Sequence, residues 1–184
     1  MQLYLIRHPP PRVAEGICYG TTDLLLREPP QAIARTIKLQ LPEGLTVFSS
    51  PLTRCRLLAE ALHPAPLFDP RLKELNFGDW EMQAWEALDR AQINAWAGNP
   101  AGYTPPNGES VHELQARVHD FLAEQCAQKT KHAALVTHAG VMKVIVGLTQ
   151  DLAPAEWMGL KFGFGAVVSI QLTAAMRNGH LFRR

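Results

Sequence analysis

Two arginines and two histidines in this chain stand where they could bind and attack a phosphate dianion. Arg7-His8 ends the apolar run Gln2-Leu3-Tyr4-Leu5-Ile6. Arg54 follows Leu45-Thr46-Val47-Phe48-Ser49-Ser50 and Pro51, and His138 follows Ala133-Ala134-Leu135-Val136-Thr137. An arginine fork donates paired hydrogen bonds to phosphate oxygens and keeps its charge. A neutral imidazole is a competent nucleophile toward phosphorus and can form a phosphohistidine. Alone, each of these residues has an ordinary explanation: an Arg–His pair at a strand end, a solvated helix arginine, a strand-to-helix turn. Together, each just past a strand terminus, they point to one site.

The elements must then bring those termini together. If the three apolar runs are parallel strands of one sheet, their carboxyl ends share an edge, where α/β folds place ligands. Helical spacing over residues 30–41, with Ile33, Ile37 and Leu41 four apart, covers part of such a sheet. Ser50-Pro51 predicts a helix start, a hydroxyl cap with proline in the first turn, carrying Leu52, Cys55, Ala59 and Leu62 inward. Arg54 would then lie near the helix N-terminal N–H groups, which add to an anion site. Residues 67–72 read as a short strand and 83–97 as a helix. Ser110-Val111-His112-Glu113 is a capping box opening an amphipathic helix, and 141–148 a buried helix. Residues 166–173 alternate as a strand, and Arg177-Asn178-Gly179 predicts a turn before a last strand at 180–183. Interleaved strands and helices predict an α/β layered sheet.

At 184 residues, the chain reads as one domain, 1–184, long enough for a substantial core. It is 47% hydrophobic and 19% charged with a net charge of +1, which gives no general attraction to nucleic acid or an anionic membrane. Cys18, Cys55 and Cys126 are widely spaced, poor material for a disulfide framework or a zinc site. No signal peptide pattern opens the chain, and 133–148 carries Thr137, His138 and Lys143, unlike a membrane span. The expected setting is the cytoplasm, with reduced thiols. His112 and His119 share a helix face without further ligands, so no metal and no cofactor is expected. His63, His132 and His180 read as solvated, and Trp80, Trp85, Trp96 and Trp157 as packing residues. Tyr19 and Tyr103 stand in the two loops that should border the site.

Four motifs in order carry a family resemblance: Leu5-Ile6-Arg7-His8, Ser49-Ser50-Pro51-Leu52-x-Arg54, Leu72-Lys73-Glu74-Leu75-Asn76-Phe77-Gly78-Asp79-Trp80-Glu81 and Val136-Thr137-His138-Ala139-Gly140. They resemble the histidine phosphatase superfamily in its phosphoglycerate mutase-like branch, over nearly the whole chain. The resemblance implies a three-layer α/β/α sandwich around a mostly parallel sheet. It implies a phosphomonoesterase with His8 as nucleophile, Arg7, Arg54 and His138 around the phosphate, and Glu74 as proton donor to the leaving oxygen. Glu81 and Asp79 are rivals for that last role. A general acid must hold its proton near neutral pH, and the more apolar setting of Glu74 favours it, with Asp79 read as a turn residue. The chain departs from the family where glycine usually follows the nucleophile: here stand Pro9, Pro10 and Pro11. Pro9 offers no backbone N–H, which predicts an altered specificity loop.

The loop Gly16-Ile17-Cys18-Tyr19-Gly20-Thr21-Thr22-Asp23-Leu24 is similar to that of α-ribazole phosphatases, which act in cobalamin nucleotide-loop assembly. The implied partner is a small phosphorylated metabolite, with α-ribazole 5′-phosphate one candidate. Alternatives are a broad-specificity organic phosphate phosphatase, a phosphoglycerate mutase-like enzyme or, in another class, a non-catalytic phosphate-binding module. Retention of both His8 and Glu74 argues against the last, since binding alone needs neither.

Overall fold

The structure, a computed structural model, describes residues 1–172. Its first strand, β1 (Gln2–Arg7), sends Leu3 and Leu5 into one core and Ile6 into another, and all three are buried. A strand apolar on both faces belongs inside a sheet covered from both sides. β1 pairs in parallel with β4 (His132–Thr137), which pairs in parallel with β2 (Thr46–Ser49). The short β3 (Leu67–Phe68) extends the sheet beside β2, and β5 (Val167–Gln171) runs antiparallel along the other side of β1. The order is β3-β2-β4-β1-β5.

Helices α1 (Gln31–Lys38) and α2 (Thr53–Leu62) cover one face, packing Ile37, Cys55 and Leu58 on Ile6, Val47, Ala134 and Val136. Helices α4 (Val111–Ala127) and α5 (Ala139–Thr149) cover the other, packing Leu114, Phe121, Val141 and Ile145 on Leu3, Leu5 and Leu135. This is the three-layer α/β/α sandwich around a mostly parallel sheet. A small aromatic cluster around Trp80 sits apart, beside α3 (Arg90–Gly98). The short α6 (Pro154–Trp157) follows α5.

Register brings the site together. Arg7 is level with Thr137 and Ser49 with Val136, so β1, β2 and β4 end side by side. The ladder continues one step further, His8 N donating to Thr137 O and Ser50 N to Val136 O, both at 3.0 Å.

Some local expectations shift. The helix expected from Ser50-Pro51 starts at Thr53, and its first N–H goes to Asp23 Oδ1 at 2.7 Å while Thr53 Oγ1 donates to Oδ2 at 2.8 Å. Ser50 Oγ serves the preceding turn instead, accepting from Leu52 N at 3.3 Å. The carboxylate of a distant loop thus takes the cap, and the Thr53 N–H is engaged rather than open to an anion. The strand at 67–72 stops after two residues, because Pro70 opens a 3₁₀ turn and Asp69 accepts from Arg71 N. The helix at 83–97 is a 3₁₀ turn, Trp85–Ala87, followed by α3. Asp89 caps α3 by accepting from Gln92 N, which fixes its start later than hydrophobic spacing suggests. The Ser110–Glu113 capping box forms as expected. The expected turn at 177–179 and strand at 180–183 lie outside the described residues. No described helix is long and apolar enough to cross a membrane.

Candidate active site

His8 is carried past the end of β1 and is only 2% exposed. Its Nδ1 lies 2.6 Å from the Pro9 carbonyl oxygen. Only a protonated nitrogen can donate to a carbonyl, so that contact places the ring proton on Nδ1 and leaves a lone pair on Nε2. Burial first, and the Arg54 charge second, lower the His8 pKa to about 3 against the opposing pull of the Pro9 bond. The imidazole is therefore neutral at physiological pH, as a nucleophile must be. Pro9 acts here through its carbonyl, which no ring closure removes. The rest of the proline run is tied down by Arg27 N donating to Pro10 O and by a bridge from Pro11 to Leu26.

Arg54 is wholly buried in the first turn of α2. Its Nη1 donates to Thr22 O at 2.8 Å and its Nη2 to Gly20 O at 2.5 Å. Arg7 donates from Nη1 to Phe162 O at 2.6 Å and lies under the Phe164 ring, 3.9 Å from its centroid. Among the described residues, three buried side-chain polar atoms lack a hydrogen-bond partner, and two of them are the Nε atoms of Arg7 and Arg54. An unmet buried donor costs about 1–3 kcal/mol, more when charged. Two such donors beside a neutral imidazole are an arrangement able to bind an anion.

His138 is fully buried, its ring 5.1 Å from that of His8, with Nε2 2.9 Å from Ser50 Oγ and 3.4 Å from Cys55 Sγ. Burial above all, then the charge of Arg54, lowers its pKa well below the usual value. It is thus another neutral ring, engaged by Ser50.

The two glutamates differ sharply. Glu81 accepts from Thr21 N and Oγ1, Thr22 N and Phe77 N at 2.6–3.1 Å, and from Thr22 Oγ1. Burial alone would raise its pKa, but those hydrogen bonds outweigh it and hold the carboxyl below its usual range. Glu81 therefore fixes the loop whose Gly20 and Thr22 carbonyls grip Arg54. A Cβ at Gly20 would overlap Leu75 O, so this loop position requires glycine. Among the described residues, Glu74 accepts two backbone bonds, from Leu75 N at 3.0 Å and from Gly140 N at 3.1 Å. The second ties it to α5 two residues beyond His138. Asp79 accepts from Asn107 and shapes a surface turn.

Beside Glu74 and Gly140 opens a cavity of about 250 Å³, walled by Phe77, Trp85, Trp96, Leu114 and Trp157, with Lys143 the one cation lining it among the described residues. Of the two tyrosines, Tyr19 is at the site, 5.5 Å from Arg54 Cζ, whereas Tyr103 stacks on Trp80. Trp85, Trp96 and Trp157 thus pack and also wall the cavity. The sequence reading did not single out Phe164, which faces both Arg7 and His8, or Asp23. Neither carries a local signal: a loop aromatic and a loop aspartate become meaningful only once the sheet brings them in.

A sequence profile of the histidine phosphatase superfamily, branch 1, matches residues 3–180. The adenosylcobalamin/alpha-ribazole phosphatase of Escherichia coli K12 is 30% identical over 175 residues, covering 86% of this chain and 83% of that protein. A Hydrogenobacter thermophilus protein that carries a provisional phosphoserine phosphatase name is 28% identical over 158 residues, covering 80% and 77%. The crystal structure of phosphoglycerate mutase from Thermus thermophilus superposes with a TM-score of 0.74 at 35% identity, covering 92% of each chain. The sandwich, the strand-end geometry and the match over nearly all of the sequence agree, and the chain belongs to the histidine phosphatase superfamily as a phosphatase enzyme.

Proposed function

We propose that this enzyme hydrolyses the phosphomonoester of a small metabolite through a phosphohistidine on His8, in one domain spanning 1–184. The observation that carries the proposal is the neutral His8 beside two arginines, Arg7 and Arg54, each with a buried and unpaired Nε. The ester phosphate enters against Arg7 and Arg54, and His138 exchanges Ser50 for a phosphate oxygen. His8 Nε2 attacks phosphorus in line, the P–O bond to the alcohol breaks, and Glu74 gives its proton to the departing oxygen. A water then attacks the phosphohistidine, Glu74 takes that water's proton, the P–N bond breaks, and inorganic phosphate leaves. The arginines supply the positive charge on the transferred group, so the cycle calls for no metal or other cofactor.

Specificity belongs to the leaving alcohol. Glu74 stands at the wall of an aromatic cavity, so the alcohol departs toward Trp85, Trp96 and Trp157. That lining suits an apolar, flat leaving group better than a second phosphate, which would ask for more cations than Lys143, the one that the described residues supply. The names of the relatives diverge, and among them α-ribazole 5′-phosphate fits this lining best; a broader range of organic phosphates is the alternative. Free, largely buried thiols suit a cytoplasmic setting. A rate survey over a metabolite panel tests the substrate: α-ribazole phosphate should give a higher kcat/KM than 3-phosphoglycerate and phosphoserine. Superior turnover of either acid would overturn the assignment, and failure to hydrolyse any ester, including 4-nitrophenyl phosphate, would leave a phosphate-binding module.

A further inference from the structure

We propose that Arg117 and Glu109 form a positioning pair that sets Glu74 for proton transfer; the proposal rests on the reading of Glu74 as the acid. Residues 74–77 belong to no helix or strand, so no ladder dictates where Glu74 points. One side chain supplies the order instead. Arg117, projecting from α4, donates from Nη1 to Arg71 O at 2.6 Å and Lys73 O at 2.8 Å, and from Nη2 to Glu74 O at 3.0 Å. Its Nε and remaining Nη2 proton form a fork on Glu109, at 2.6 and 2.8 Å. All five guanidinium donors are thereby used.

Glu109 completes the grip from the far side of Glu74. Its Oε2 accepts from Asn76 N at 3.3 Å, and its own N–H donates to Asn76 O at 2.8 Å. Backbone groups before, at and after the acid are thus held by one ion pair whose side chains are 21% and 17% exposed. Glu109 immediately precedes the Ser110 cap of α4, so the helix start fixes the carboxylate and the helix body fixes the guanidinium. A lysine could keep the charge at position 117 but has neither the planar fork nor the donors for three converging carbonyls.

The test compares phenyl phosphate with 4-nitrophenyl phosphate, which differ little in shape but greatly in how much their leaving oxygen needs a proton. In Arg117→Lys, kcat on phenyl phosphate should fall by about 10²-fold, as a misplacement near 1 Å can cost. The loss on 4-nitrophenyl phosphate should be at least tenfold smaller, and KM should hold because phosphate contacts are intact. Glu109→Gln, which keeps an acceptor but not the charged fork, should show the same split more mildly. Guanidinium ion should restore phenyl phosphate turnover in Arg117→Ala. Equal losses on both esters, tracking a drop in Tm, would make the pair merely structural and overturn the proposal. Glu74→Gln, measured alongside, separates the two failures. A leaving-group split in Glu74→Gln without one in Arg117→Lys and Glu109→Gln refutes the positioning role. No split in Glu74→Gln refutes the acid assignment itself. If Arg117→Lys does not fold, the split or its absence in Glu109→Gln decides.

Discussion

Gly140 offers a way to move the proposed acid without touching it chemically. A Cβ built there would overlap Glu74 Oε1 and stand 3.2 Å from Glu74 Cδ. The atoms in the way are the far end of a flexible side chain, so the backbone need not yield. What must yield is the carboxyl group, which in Gly140→Ala has to swing by about 1 Å, a displacement that can cost near 10²-fold in rate. The swing also breaks the 3.1 Å bond from Gly140 N. Stability should hardly fall, because alanine in the first turn of α5 recovers up to about 1 kcal/mol of helix propensity against the lost bond. The expected result is a fall of about 10²-fold in kcat on phenyl phosphate, approaching the 10²–10⁴-fold expected of removing a general acid altogether. On 4-nitrophenyl phosphate the fall should be at least tenfold smaller, with Tm within a few degrees of wild type. The cavity wall changes identically for both esters, so steric intrusion cancels in the ratio of their rates. A wild-type ratio in a folded Gly140→Ala would refute the reasoning, since it would show that moving Glu74 is indifferent to the leaving group.

Other outcomes follow from the same geometry. His8→Ala should abolish turnover together with an acid-labile, base-stable phosphoryl adduct on the His8 peptide; retained activity would remove the nucleophile. Arg54→Ala should depress both esters alike, by at least about 10² on the scale of lost electrostatic stabilisation, because its proposed role is on the phosphoryl group they share; a leaving-group split would contradict this. Exhaustive chelation should leave the rate unchanged, and a loss restored by one specific metal would contradict the arginine-based charge accounting. Acid should destabilise the fold through His8: its pKa of about 3 when folded lies below the unfolded value of 6.5, so the unfolded chain binds the proton first. Stability is therefore full above pH 6.5 and declines as pH falls toward 3, by up to about 1.4 kcal/mol per pH unit from this group. Urea midpoints at pH 7 and 5 should diverge less in His8→Ala than in wild type, and parallel shifts would refute the burial argument.

How much of this was legible beforehand depends on range. The strands announced themselves because apolar runs on both faces leave few alternatives, and the parallel register of β1, β2 and β4 brought four residues from three strand ends to one edge. The Ser110 capping box is a four-residue signal with a local cause and was equally legible. The start of α2 was not, because its cap comes from Asp23, thirty residues away in the chain. Apolar neighbours favour Glu74 over Glu81 as the proposed acid, and the structure supplies a different physical argument for that reading. Glu81 is claimed by hydroxyl and backbone donors from a loop some sixty residues distant, a bond pattern that no local composition encodes. Phe164 and Arg117 were invisible for the same reason: each acts on residues far away in sequence.

The unpaired Nε atoms of Arg7 and Arg54 also explain why the surrounding bonds are so complete. A guanidinium left wholly to itself in a buried site would adopt whatever partner it could reach. Here Phe162 O takes one donor of Arg7, and Gly20 O and Thr22 O take two of Arg54, so each fork is oriented while an Nε stays open. Glu81, by fixing the 20–22 loop, therefore acts on Arg54 indirectly, and the Phe164 ring covers one face of the Arg7 fork. On the proposed reading, a bound phosphate would recover the stability forgone at these open donors. The forks are thus oriented before any phosphate binds, and in the proposed cycle their open donors would act on the transferred group, where His8 would attack.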